Sequence, residues 1–130
     1  WIDSTVKALD AERFAQRFSP RKPASPYSQA NKERLRHLIR QGRVIKRVRA
    51  EAEKAVAEDF RMPPDILKAL KANRQVWRHF RTYSPAYRRI RIAYIESARA
   101  RPQDFHRRLQ LLLRMTEQGK QFGFGIESFY

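Results

Sequence analysis

The chain has 130 residues, 29 Lys and Arg against 13 Asp and Glu for a formal net charge of +16, 42% hydrophobic residues and no cysteine. That length suits one core and one domain, and without cysteine a disulfide framework and thiolate chemistry are excluded. No run reaches the roughly 18 apolar residues of a membrane span, and the cation surplus selects anionic partners: nucleic acid, an anionic membrane surface, an acidic protein or a small phosphate or carboxylate ligand.

At the start of the chain Ile2, Ser4 and Val6 alternate with Asp3, Thr5 and Lys7. After Asp10-Ala11-Glu12, Phe14, Gln16 and Phe18 alternate with Ala15 and Arg17. A period of two on both sides of a polar turn predicts a β-hairpin. A lone hairpin is marginal in water, so helix 29–41 and the aromatic tail are expected to cover it, with Phe122, Phe124 or Phe129 against the body. The segment QRFSPRKPASPYS that follows carries Pro20, Pro23 and Pro26, which forbid regular helix and central strand. An extended loop is predicted there.

Ser28 is a suitable N-cap for helix 29–41, whose stripe is Leu35, Leu38 and Ile39 and whose stop is Gly42. A second helix is predicted over 47–60, with Val48, Ala52, Ala55 and Val56 on one side and Met62-Pro63-Pro64 ending it. Pro64 then opens a short helix with Ile66, Leu67 and Leu70 inward, and Asn73 stops it before another carrying Val76, Trp77 and Phe80. Ser84-Pro85, a cap followed by proline at the first helical position, starts a helix with Tyr87, Ile90, Tyr94 and Ala98 at helical spacing. Arg101-Pro102 starts the last, with Phe105, Leu109, Leu112 and Leu113 on one face and Gly119 as its stop. The tail FGFGIESFY is expected to fold back onto the body.

Groups able to converge for catalysis are scarce. His37, His79 and His106 fall on three different predicted helices with no pair at i, i+4, so no metal site is expected, and no cofactor. Asp3 and Glu12 would serve acid–base chemistry only if both pointed into one cleft; surface carboxylates near Lys7 and Arg13 are the simpler reading. Gly123 and Gly125 lack the following helix whose N-terminus would hold a phosphate. Cations concentrate in residues 1–46 (11 Lys/Arg, 4 Asp/Glu) and 74–130 (12 and 4), while 47–73 are nearly balanced (6 and 5). Lys32, Arg36, Arg40 and Arg43 recur along one helix side, Arg74, Arg78 and Arg81 along a shorter one, and Arg88, Arg89 and Arg91 crowd a third. Such stripes are either a solvated face or a set of phosphate contacts. The series Trp77, Phe80, Tyr83, Tyr87 and Tyr94 suits a core better than a stacking platform for single strands.

Three stretches, WIDS to DAERFAQRFSPRKPASPYSQANKERLRHLIRQGR, MPPDILKALKANRQVWRHFRTYSPAYRRIRIAYIESARA and GKQFGFGIESFY, resemble the bacterial YdeI/OmpD-associated family, also labelled bacteriocin-protection proteins, over nearly the whole chain. The resemblance implies an α/β N-terminal part followed by a helical C-terminal part, further residues before the position of Trp1, and an association with an outer-membrane protein. It implies no reaction, cofactor or catalytic residue. Trp1, Arg17, Ser19, Arg21, Lys22, Ser25, Ser28 and Asn31 fall in the motif around the proline loop. Cations, hydroxyls and free helix N–H groups gathered there suit an anion. The structural alternative has Ser28 capping, Asn31 supporting the cap and the arginines bonding carbonyls left free by the prolines.

These readings combine into a mostly helical α+β single domain: a hairpin and Pro/Arg loop in 1–27, two helices in 28–60, a helical part in 61–120 and an aromatic tail in 121–130, with five or six helices in all. The expected function is non-enzymatic, a stress- or bacteriocin-protection protein that binds an anionic or protein partner. One alternative is nucleic-acid binding through Lys32, Arg36, Arg40, Arg43, Arg88, Arg89 and Arg91; another is an enzyme with an anionic substrate. Non-specific polyanion binding is expected in every case. A cytoplasmic location fits the absence of cysteine, with the periplasm left open because the sequence opens on Trp1 rather than Met.

Overall fold

Residues 2–20, 22 and 25–123 are described by a computed structural model of the chain, and they form an antiparallel hairpin followed by six helices. The chain is thus α+β and mostly helical. Trp1, Arg21 and residues 124–130, with the expectations attached to Phe124 and Phe129, lie outside the described residues.

Strands β1 (Ile2–Ala8) and β2 (Phe14–Ser19) pair Ala8 with Phe14, Val6 with Gln16 and Thr5 with Arg17, and the register shifts between Asp3 and Thr5. Asp10 closes the turn: its Oδ1 accepts from the N–H groups of Glu12 at 3.0 Å and Arg13 at 2.8 Å, and its Oδ2 from Arg13 Nε at 2.6 Å. A side chain that satisfies backbone donors two and three residues on is what fixes such a turn. The Arg13 bond first, then that from the Glu12 N–H, holds the Asp10 carboxyl below its ordinary range. The hairpin's apolar side is uncovered, with Val6 63%, Phe14 66% and Phe18 58% exposed. This corrects the expectation that α1 (Gln29–Arg40) would bury it: α1 packs on α2 (Lys46–Val56) and on α5 (Pro85–Glu96) instead.

Local signals set most helix ends. Ser28 Oγ accepts from the Asn31 N–H at 3.3 Å. At the other end of α1, Gly42 at φ +67° allows Gly42 N–H to reach Ile39 O and Arg43 N–H to reach Leu38 O, each at 3.0 Å. That paired closure satisfies carbonyls the helix would leave free. Helix α2 stops at Val56, four residues short of the predicted end, and residues 57–63 run without regular structure. Pro63 and Pro64 bar helix only from about residue 60 onward, so they do not account for the earlier stop. Helix α3 (Pro64–Lys71) follows, and Asn73, expected as a stop, also caps α4 (Arg74–Thr82) by accepting from the N–H groups of Gln75 and Val76. Ser84 caps α5 through the Tyr87 N–H at 3.1 Å, and α6 (Pro102–Glu117) ends at Gly119, φ +68°.

The core lies among α3 to α6. Ile66, Leu70, Phe80, Ile92 and Leu112 have no exposed surface, and Val76, Tyr83, Tyr87 and Ile95 complete the cluster. Helix α6 packs on α3, α4 and α5, so its leucine face meets three stripes at once. Aromatic pairs Trp77–Phe80, Phe80–Tyr83 and Tyr83–Tyr87, at 6.2, 6.5 and 5.3 Å between ring centres, run through this core. The core reading of these rings therefore holds. Tyr94 is the exception: it is 45% exposed on the outer side of α5, under the Arg108 guanidinium at 3.9 Å. His79 has a structural task, its Nδ1 bonding Thr116 O at 2.8 Å. Because a carbonyl only accepts, that nitrogen carries the proton.

Candidate functional site

The junction between the N-terminal helices and the core is built on one carboxylate. Glu33 stands in the second turn of α1, only 2% exposed. Arg89 of α5 holds it with two bonds, Nε to Oε1 at 2.6 Å and Nη2 to Oε2 at 2.7 Å; Arg36 Nη1 and Gln29 Nε2 reach Oε1 at 2.7 Å each. Burial pushes the Glu33 carboxyl up, but the bonds from Arg89 and Gln29 and the charges of Arg89 and Arg36 outweigh it, so the acid sits below its ordinary range. The same pairing holds Arg89 above its ordinary value. Arg36 also donates to the carbonyls of Val56 at 3.0 Å and Glu58 at 3.3 Å, and Lys32 pairs with Glu58. Through Arg36 the end of α2 and the start of the extended segment are tied to α1.

Above this network opens a cleft of about 510 Å³, lined by Arg36, Arg88, Arg89, Asp59, Phe60 and Pro85 among others. Three guanidinium groups border one hollow at the first turns of α5. Two of them are spoken for by Glu33. Arg88 is different: it is half-buried, its Nε is enclosed, and no hydrogen-bond partner meets that atom. A buried donor left unpaired costs on the order of 1–3 kcal/mol. Asp59, exposed at the rim, is the carboxylate of this lining.

The predicted basic residues divide in the structure. Arg36 of α1 and Arg88 and Arg89 of α5, more than fifty residues on in sequence, come together. Lys32 is engaged by Glu58, while Arg40 and Arg43 stay exposed at the far end of α1. Arg91 does not join a basic face. It is 8% exposed, with its guanidinium 5.2 Å from the Tyr87 ring centre and 5.0 Å from that of Phe122. Gly123, φ +118°, lies so close that a Cβ there would sit 1.7 Å from Arg91 Nη2, so only glycine fits. Phe122 thereby reaches the body, its N–H bonding Tyr87 Oη at 3.1 Å.

Around the proline loop, Arg17 sits on β2 opposite Thr5, Ser19 ends that strand and Lys22 is exposed. Ser25 N–H bonds Lys22 O at 3.2 Å, Ser28 caps α1, and Asn31 Oδ1 accepts from Arg34 at 2.9 Å. Ser28 thus caps α1 as the structural alternative has it, while the Asn31 side chain serves Arg34 rather than the cap. Glu33 is the functional residue that sequence reasoning passed over. Its one local signal was being the single acid in a basic helix, three residues before Arg36. Among the described residues no group of three or more His, Asp or Glu is placed to hold a metal ion, and no helix is long and apolar enough to cross a membrane.

No curated protein and no solved structure matches the chain. Residues 1–51 match a family model described as a domain of unknown function (DUF8412), which covers the hairpin, the proline loop and α1. Residues 59–119, which hold α3 to α6 and the aromatic core, match a family model described as bacteriocin-protection, YdeI or OmpD-associated.

Proposed function

We propose that this is a bacteriocin-protection protein that works by binding rather than catalysis, holding an anionic group of its partner in the cleft at the start of α5. The observation that carries the reading is Arg88, whose guanidinium borders the cleft beside Arg36 and Arg89 and whose enclosed Nε has no partner. Glu33 neutralises much of the charge of its two neighbours and fixes them in place. Arg88 is left as the guanidinium of the hollow that Glu33 does not hold. Guanidinium groups present planar forks of donors that match carboxylate and phosphate oxygens. The lining offers cations, apolar surface and the rim carboxylate of Asp59, with no nucleophile beside a base among its residues, which supports binding over reaction.

Inorganic phosphate titrated into the protein at low ionic strength, followed by ¹H–¹⁵N spectra, tests this. Saturable binding should weaken about tenfold in Arg88→Gln and stay unchanged in Arg40→Gln. Equal binding by both variants would overturn the site. DNA titrated alongside should bind weakly, without sequence preference, and be lost near physiological salt, as counterion release from a +16 chain requires. Tight, sequence-selective binding at that salt would make nucleic acid the partner instead.

A further inference from the structure

The arginine cleft has a neighbour. A second hollow of about 310 Å³ is lined by Phe60, Pro63, Ile92 and Ala93, with Arg61 and Glu96 at its edge. Phe60 borders both hollows. Along α5 the lining residues run Pro85, Arg88 and Arg89, then Ile92 and Ala93, then Glu96 and Ser97. These steps of three and four keep them on one side of the helix. The two hollows are therefore successive stations of one groove, with α5 as its first wall and residues 59–63 as its second. One station is cationic and the next is mainly apolar.

The second wall is backbone without regular structure. Pro63 has φ −58° and ψ 132°. The N–H groups of residues 58–62 make no hydrogen bond among the described residues, whereas Pro63 O already accepts from Leu67. Free backbone donors beside a groove are what a bound peptide chain can use. From Arg88 and Arg89 to Ile92 and Ala93 is four residues of helix, about 6 Å at 1.5 Å per residue. Side chains two apart on an extended chain point the same way and lie about 6.6 Å apart. The spacing of the stations matches that of an extended peptide.

We propose that this groove binds an extended peptide segment of a partner protein that carries an acidic residue and, two positions away, a large apolar one. The acid meets Arg88, the apolar side chain packs against Phe60, Pro63 and Ala93, and the peptide backbone accepts from free N–H groups among residues 58–62. The inference rests on the anion reading of the Arg88 end and adds the apolar station, the backbone wall and the spacing between them.

Three short acetylated and amidated peptides test it on the full chain: Ser-Glu-Ser-Phe-Ser, the same with Gln for Glu, and Ser-Glu-Phe-Ser-Ser, which breaks the spacing. Dissociation constants at low ionic strength and ¹H–¹⁵N spectra are the readouts. The first peptide should bind on the order of 0.1 mM and shift amide signals among residues 58–62. The other two should bind about tenfold more weakly. Arg88→Gln should weaken the first peptide about tenfold and abolish its preference over the Gln peptide. Ala93→Glu should weaken it similarly by filling the apolar station, and it replaces Phe60→Ala, which removes a ring packed on the core. Equal binding of the two Glu peptides would overturn the inference. So would phosphate binding with no peptide binding, although the anion site itself would then stand. Peptide binding indifferent to Arg88→Gln would overturn the anion reading and the inference together. Dodecyl phosphate binding far more tightly than any peptide, through Arg88 and Ala93, would replace the peptide with an amphiphile.

Discussion

Phe80 and Phe14 are the same residue type in two regions of the chain, each on the apolar side of a periodic element, yet Phe80 has no exposed surface and Phe14 keeps 66%. The difference lies in what faces them. The stripe of α4 meets α3 and α6, and the three close over Ile66, Leu70, Val76 and Leu112. Among the described residues the hairpin's side meets no second layer. Correct periodicity gives an element a face to bury; only another element supplies the burial. Glu33 stands between the two regions and joins α1 to α5 by charge where the apolar contact is thin, since Leu35 and Ile39 are only half-buried and Leu38 is 37% exposed.

The strongest break of this comparison is Phe80→Ala. Removing a fully enclosed ring should cost about 3–5 kcal/mol of unfolding free energy, measured by urea denaturation. A loss near 1 kcal/mol would mean that the body is packed far more loosely than its burial indicates.

Glu33→Ala comes next, at about 3 kcal/mol, because it leaves two arginines facing each other without their shared partner. A second signature is pH. The Glu33 carboxyl is held below its ordinary value of 4.5, so its contribution is complete above that pH and is lost as the pH falls through the lower folded value. The unfolding midpoint of the natural protein should therefore drop on acidification below about 4.5, and Glu33→Gln should flatten part of that slope. Asp10, Glu58 and Asp65, exposed carboxylates, are also held low by their partners. Their share of the slope should shrink in high salt while that of buried Glu33 persists. A slope unchanged in Glu33→Gln would show that the network does not couple α1 to the core.

What the sequence made legible was local. Ser28, Asn73, Ser84-Pro85, Arg101-Pro102, Gly42 and Gly119 act on backbone groups within a few residues, so their chemistry can be read where they stand. The aromatic core was legible too, because rings at helical spacing flanked by aliphatics have few other uses. The site was not. Arg36 and Arg88 look alike in sequence as members of basic stripes, and what separates them is Glu33, which binds one and not the other. The Glu33 to Arg89 bond spans 56 residues, beyond any periodicity. Arg91 was misread for the same reason: nothing near it in sequence announces that Phe122 and Gly123 will cover it.

The smallest expected effect is also the sharpest test of the comparison. Phe14→Ala removes a ring of the same size as Phe80, but one whose surface is mostly in water already, so little transfer energy is lost. The change in unfolding free energy should stay within about 0.5 kcal/mol, the ordinary range for a surface position away from caps and core. Urea unfolding at two protein concentrations about tenfold apart gives the measurement and its control. If Phe14→Ala cost 2 kcal/mol or more at both concentrations, the hairpin would have intramolecular cover in solution. If the cost appeared only at the higher concentration, the cover would come from another copy, and Val6, Phe14 and Phe18 would be an interface. A negligible change at both leaves the hairpin as it stands, held by its own ladder and the Asp10 turn, with the stability of the molecule residing in α3 to α6.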